Sequence, residues 1–156
     1  MTMKRFVLFL ATAMIFISAG LGGNGFDALA DEFEGITYSF YIGSSQTVSG
    51  AATVDIGAGA EVTCELSQAR VVRAHLKDIR GESVAFAGGI SDARRALKVL
   101  CAKIMREETL DGIMILYAYS DTFERGVNLS GRKVNLQAAA GGGRVVLGTP
   151  LILGSF

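Results

Sequence analysis

The chain has 156 residues, half of them hydrophobic, with 15 Lys and Arg against 15 Asp and Glu and a formal net charge of zero. That balance argues against a nucleic-acid binder, which carries a marked basic excess. Two cysteines and one histidine at scattered positions fall short of a metal-ligand set.

Met1 to Gly20 has the three parts of an export signal: Lys4 and Arg5, an apolar run from Phe6 to Ile17, and small residues at Ser18, Ala19 and Gly20. Cleavage is expected after Gly20, with Ala28-Leu29-Ala30 as a second small-x-small step. No cysteine follows to take a lipid. The competing reading is an uncleaved anchor, for which the run is short of the ~20 residues a spanning helix needs. Membrane contact is expected only if the segment is retained. Its loss would make the chain slightly acidic and leave enough length for one core.

Leu21 to Glu34 is glycine-rich, then acidic, and is expected to be a flexible lead-in, with the domain running from Gly35 to Phe156. Ile36 to Ile42 alternates β-branched and aromatic residues as a strand does. Ser44 to Ala60 reads as a loop or a weakly specified hairpin, and Glu61 to Cys64 as a short strand. From Leu66 the period becomes helical: Leu66, Ala69, Val72, Leu76 and Ile79 share a face, Ser67 can cap and Gly81 can stop it. Glu82 to Ala87 alternates as a strand before Gly88-Gly89. Ser91 is a candidate N-cap for a second helix, whose apolar face is Ala93, Ala96, Leu97 and Leu100 and whose end falls near Ala102.

Lys103 to Leu110 and Ile113 to Ser120 flank Asp111-Gly112, a hairpin signal. A second hairpin is expected from Lys133 to Ala138, the Gly141-Gly142-Gly143 turn and Arg144 to Leu147. Thr149 to Phe156 is apolar around Pro150 and is expected to end or bend a strand at a sheet edge. This order predicts an α+β domain, two helices packed on one face of a largely antiparallel sheet.

Several of these segments carry a resemblance. Tyr38 to Gly43, Gly81-Glu82-Ser83-Val84, Tyr117-Ala118-Tyr119-Ser120, Lys133 to Gln137 and Gly148 to Phe156 together resemble the YwmB family of Gram-positive bacteria, over roughly Ile36 onward. The resemblance implies an exported protein with a fold similar to that of the TATA-box-binding protein. It carries no agreed catalytic residue to place on this chain, and fold similarity does not transmit function.

Site candidates come from the residues themselves. Rotating the first helix at ~100° per residue gathers Arg70, Arg73, Lys77 and Arg80 within a sector of about 80°. Arg94, Arg95 and Lys98 lie opposite the apolar face of the second. These basic faces are candidates for an anionic envelope polymer or an envelope protein, against the plain reading of solvated helix surface. His75 has Asp78 three residues on but no identifiable nucleophile, and reads as a surface histidine. Ser44, Ser45 and Ser83 lack the Gly-x-Ser-x-Gly setting of a hydrolase nucleophile. Gly57-Ala58-Gly59 lacks phosphate-loop spacing, so no cofactor is expected. Glu61, Glu65, Glu82 and Asp92 are the carboxylates a wall hydrolase would need in a pair. Cys64 and Cys101 could form one disulfide or be two small buried apolar residues. The leading expectation is a non-catalytic binding or interaction module at the cell envelope. A carboxylate-based wall hydrolase and a membrane-anchored partner of an envelope complex are the alternatives.

Overall fold

The computed structural model describes residues 25–153, so the expected export signal and the last three residues of the apolar tail lie outside the described residues. Strands β1 (Thr37–Ile42), β2 (Ala52–Asp55) and β3 (Ala60–Glu65) come first. Helix α1 (Ala69–His75), β4 (Ile79–Ala87) and helix α2 (Ile90–Val99) follow. Then come β5 (Lys103–Leu110), β6 (Ile113–Tyr119), β7 (Val127–Leu129), β8 (Arg132–Val134), β9 (Leu136–Gly141) and β10 (Arg144–Thr149). Eight strands form one antiparallel sheet in the order β2-β3-β1-β4-β10-β9-β6-β5, and β7 with β8 makes a separate ribbon.

Residues opposite one another in an antiparallel ladder share a face, so the register separates the two sides of the sheet. Tyr38, Val84, Leu147, Ala138 and Leu116 form one row across five strands, and all are fully buried. The adjacent row, Ser39, Ser83, Gly148, Gln137, Tyr117 and Arg106, points the other way and is polar or small. The apolar side carries both helices, α2 against β9, β10 and β5 and α1 against β3. The α+β architecture expected from the element order is therefore present.

The structure corrects several boundaries. From Gly25 onward the supposed lead-in belongs to the core: Asp27–Asp31 forms a 3-10 turn, and Phe26, Leu29 and Phe33 are buried. Phe26 packs on Tyr38 and Phe123, and Phe33 on Phe86. The open choice at Ser44 to Ala60 resolves into a loop followed by the β2–β3 hairpin.

The first helix is much shorter than its period suggests. After a 3-10 turn at Leu66–Gln68 it runs only to His75, without a side-chain cap from Ser67. Leu76 is already extended and Asp78 takes a φ of 54°. Leu76 is buried and Ile79 packs on the core from a strand, so apolar spacing continues through a change of element. Gly81 is not a helix stop; it pairs with Tyr41 inside β4. The second helix is capped at Gly89, whose N–H donates to Asp92 Oδ2 at 2.9 Å, and Ser91 lies inside it.

Asp111-Gly112 turns the β5–β6 hairpin with both φ values positive, as expected. The segment Lys133 to Ala138 divides between β8 and β9, and the β7–β8 ribbon is an addition. The tail forms no strand of its own among the described residues: the strand that ends at Thr149 is β10, which lies between β4 and β9 in the middle of the sheet and not at an edge. The chain then turns at the cis Thr149–Pro150 bond, and Leu151 to Leu153 crosses the polar face. Ile152 N–H donates to Gln137 Oε1 at 2.9 Å. A Cβ on Gly148 would stand 2.7 Å from the Ile152 backbone, and one on Gly81 would stand 2.5 Å from Leu153 Cδ1. Cys64 is buried on β3 and Cys101 is exposed beyond α2, and both are free thiols, so of the two open readings the bridge is not formed and only Cys64 is a small buried residue.

Candidate ligand cleft

Glu82 is a buried carboxylate on the helix-covered face, opposite Phe40 on β1 and Thr149 on β10. Burying a charged group is unfavourable unless it is paired and hydrogen-bonded. Two donors meet that requirement: the Tyr38 hydroxyl donates to Oε2 at 2.5 Å, and Arg73 of α1 donates to Oε1. Burial and the adjacent carboxylate drive the Tyr38 phenol far above its ordinary range, so it remains a donor. The Arg73 guanidinium also stands 5.9 Å from the Phe40 ring centroid.

This cluster forms one wall of a cleft of about 460 Å³ between α1, the start of β4 and the loop after β6. Thr122, Phe123, Glu124 and Arg125 of that loop form the opposite wall. Asn135, fully buried, holds the loop in place. Its Oδ1 accepts from Ser120 N–H at 2.8 Å, and its Nδ2 donates to the carbonyls of Ser120 and Phe123 at 2.6 and 2.7 Å. Ser120 Oγ donates in turn to the Leu100 carbonyl at 2.6 Å, tying the loop to the end of α2. Arg125 Nη1 donates to the Ile79 carbonyl at 2.7 Å, and no carboxylate lies within ion-pair distance of Arg125 among the described residues.

Of the two expected basic faces only the second forms: Arg94, Arg95 and Lys98 are exposed on α2, opposite the buried Ala93, Ala96 and Leu97. Arg70 and Arg73 lie on α1, Lys77 follows it and Arg80 is on β4, so the four-residue stripe loses the helix it required. Five of the seven have carboxylate partners: Arg70 with Asp27, Arg73 with Glu82, Arg80 with Asp78, Arg94 with Glu107 and Arg95 with Asp92. Lys77 and Lys98 have no ion pair among the described residues. Compensated charge projects a weaker field than the sequence count implies.

The carboxylate candidates also separate. Glu61 lies on β3 beside Tyr41, Glu65 ends that strand and Asp92 caps α2; of these four only Glu82 lines the cleft, where Glu124 is a second carboxylate. His75 Nδ1 donates to the Val71 carbonyl at 2.8 Å on an exposed turn. Sequence reasoning singled out Glu82 and Arg73 but passed over Tyr38 as a site residue and missed Phe123, Arg125 and Asn135. Asp121 to Gly126 has no apolar period to draw notice to it. The chain matches no known family model, no curated protein and no solved structure.

Proposed function

We propose that this protein is a non-catalytic binding module of the cell envelope, with the Arg73–Glu82–Arg125 cleft as its ligand site. The observation that carries this reading is Arg125: a guanidinium in the cleft wall, anchored by one N–H to the Ile79 carbonyl and lacking a carboxylate partner among the described residues. Guanidinium groups bind carboxylates and phosphates through paired N–H donors, so the cleft suits an anionic group on an envelope polymer or protein. Glu82 already accepts from two donors, a setting for a fixed wall and not for a carboxyl that exchanges protons with a sugar.

The envelope location rests on the export signal, and the family reading on the motifs that resemble the YwmB proteins and imply a fold like that of the TATA-box-binding protein. Phe26 and Leu29 belong to the core, which favours cleavage after Gly20 over cleavage after Ala30. The test is co-sedimentation of the chain from Leu21 onward with purified cell walls at low and high salt. Salt-reversible pelleting that Arg125→Ala abolishes and Arg94→Ala leaves intact supports the reading. Soluble wall fragments in the supernatant would instead favour the hydrolase, and absence of pelleting would redirect the search to a protein partner.

A further inference from the structure

The edge strand β5 carries a separate hollow on the polar side of the sheet. The β5–β6 register shifts between Ile104 and Arg106, leaving Met105 as an extra residue. Such a bulge interrupts the ladder and re-aims the side chains beyond it. Here it moves Arg106 onto the side of Tyr117, opposite the helices. The β7–β8 ribbon packs over β6 beside it, turned at Ser130-Gly131, where Asn128 Oδ1 accepts from Gly131 N–H at 2.8 Å. Between bulge and ribbon lies a space of about 290 Å³, bounded by Met105, Leu129 and Val134 and by Arg106, Arg132 and Tyr117.

Its polar groups have unequal obligations. Glu108 accepts from Tyr117 Oη at 2.5 Å and from Arg106 Nη2 at 2.9 Å, so it compensates Arg106 and fixes the phenol. Arg132 Nη1 donates to the Met105 carbonyl at 2.9 Å. Among the described residues Arg132 has no carboxylate partner. A guanidinium has five N–H donors in a fork, and one such contact leaves the others available. Two arginines against one glutamate make the hollow cationic, while Met105, Leu129 and Val134 make its body apolar.

We propose that this hollow binds a small carboxylic acid with an apolar body, the carboxylate on Arg132 and the chain against Met105, Leu129 and Val134. The volume corresponds to roughly ten waters at ~30 Å³ each, which sets the ligand's size at a short acyl or aryl acid. Met105 suits an apolar guest of irregular shape, because its unbranched thioether adapts. The site is separate from the cleft at Arg125, so either can fail without the other.

The experiment is an amide NMR titration of the protein with three probes: hexanoate, hexylammonium and acetate. Hexanoate is expected to shift the amides of Met105, Tyr117 and Leu129 saturably. Hexylammonium, with the same body and the opposite charge, and acetate, without the body, are expected to leave them in place. Arg132→Gln removes the charge while keeping a shorter polar side chain, and should weaken hexanoate binding about tenfold or more; Arg125→Ala should not change it. Equal response to hexanoate and hexylammonium, absence of saturation with hexanoate, or unchanged binding in Arg132→Gln overturns the proposal. The three probes on the unaltered protein decide the matter even if the variant does not fold.

Discussion

The Tyr38 hydroxyl lies 2.5 Å from Glu82 Oε2 although the two residues are not opposite each other, since Tyr38 faces Val84 and Phe40 faces Glu82 across β1 and β4. The bond is a diagonal contact within reach of a long aromatic side chain. It fixes the buried carboxylate from the sheet while Arg73 holds it from the helix. The cleft wall therefore depends on a junction between layers.

Tyr38→Phe should destabilise the protein by about 1.5–3 kcal/mol at neutral pH, the range for a hydrogen bond to a charged group. Denaturant unfolding measures it. The phenol is raised above its ordinary value of 10.0 in the folded state, chiefly by burial and then by Glu82. The protonated form is thus favoured by folding, and that stabilisation is present below pH 10 and lost progressively above it. The gap between the parent protein and Tyr38→Phe should narrow on the alkaline side; a constant gap up to pH 11 would refute this account.

Asn135→Ala removes three hydrogen bonds at a fully buried position and leaves two carbonyls and an N–H without that partner. A loss of about 3 kcal/mol is expected. Because the same bonds hold the loop bearing Phe123 and Arg125, the variant should also retain less wall in the sedimentation assay under conditions where it remains folded.

Gly148 and Gly81 both lie under the returning tail but should respond unequally. At Gly148 a methyl meets the Ile152 and Leu151 backbone, which must move, whereas at Gly81 its nearest neighbour is the end of the Leu153 side chain. Gly148→Ala is expected to cost about 1–3 kcal/mol, as overpacking does, and Gly81→Ala less. Thermal unfolding of the pair tests the order, and the reverse order would contradict the path of the tail.

Glu107 meets Arg94 through two hydrogen bonds, at 2.7 and 2.9 Å, and the arginine lowers its carboxyl below the ordinary value. A depressed value in the folded state gives stability that is present above the unfolded carboxylate range and is lost as pH falls through the folded value. Glu107→Gln should flatten the acid limb of the stability profile, and added salt should reduce the difference because the pair is solvent-exposed. An acid limb unchanged by the substitution would show that the pair contributes nothing.

How much of this was readable in advance follows the range of the interactions. The Asp111-Gly112 hairpin was legible because two adjacent residues suffice to make its turn. The apolar face of α2 was legible as well, since Ala93, Ala96 and Leu97 pack as their spacing indicates. The first helix was overextended because Leu76 and Ile79 keep a helical period while their backbone has already left the helix. The β7–β8 ribbon was missed because strands of three residues with an exposed turn present too little pattern to detect.

The candidate cleft was legible only in part. Glu82 stood out among the carboxylates, yet Tyr38 is 44 residues away in sequence, and the carbonyl that anchors Arg125 is 46 away. Their meeting depends on strand register and on where a loop lands. Composition, alternation and turn chemistry determined by themselves the element types and an α+β domain, because those are local preferences of neighbouring residues. Tertiary structure alone decided that Phe26 and Leu29 join the core, that β10 is central and that Arg70, Arg73 and Arg94 meet Asp27, Glu82 and Glu107, because each of these depends on partners brought close only when the sheet closes around them.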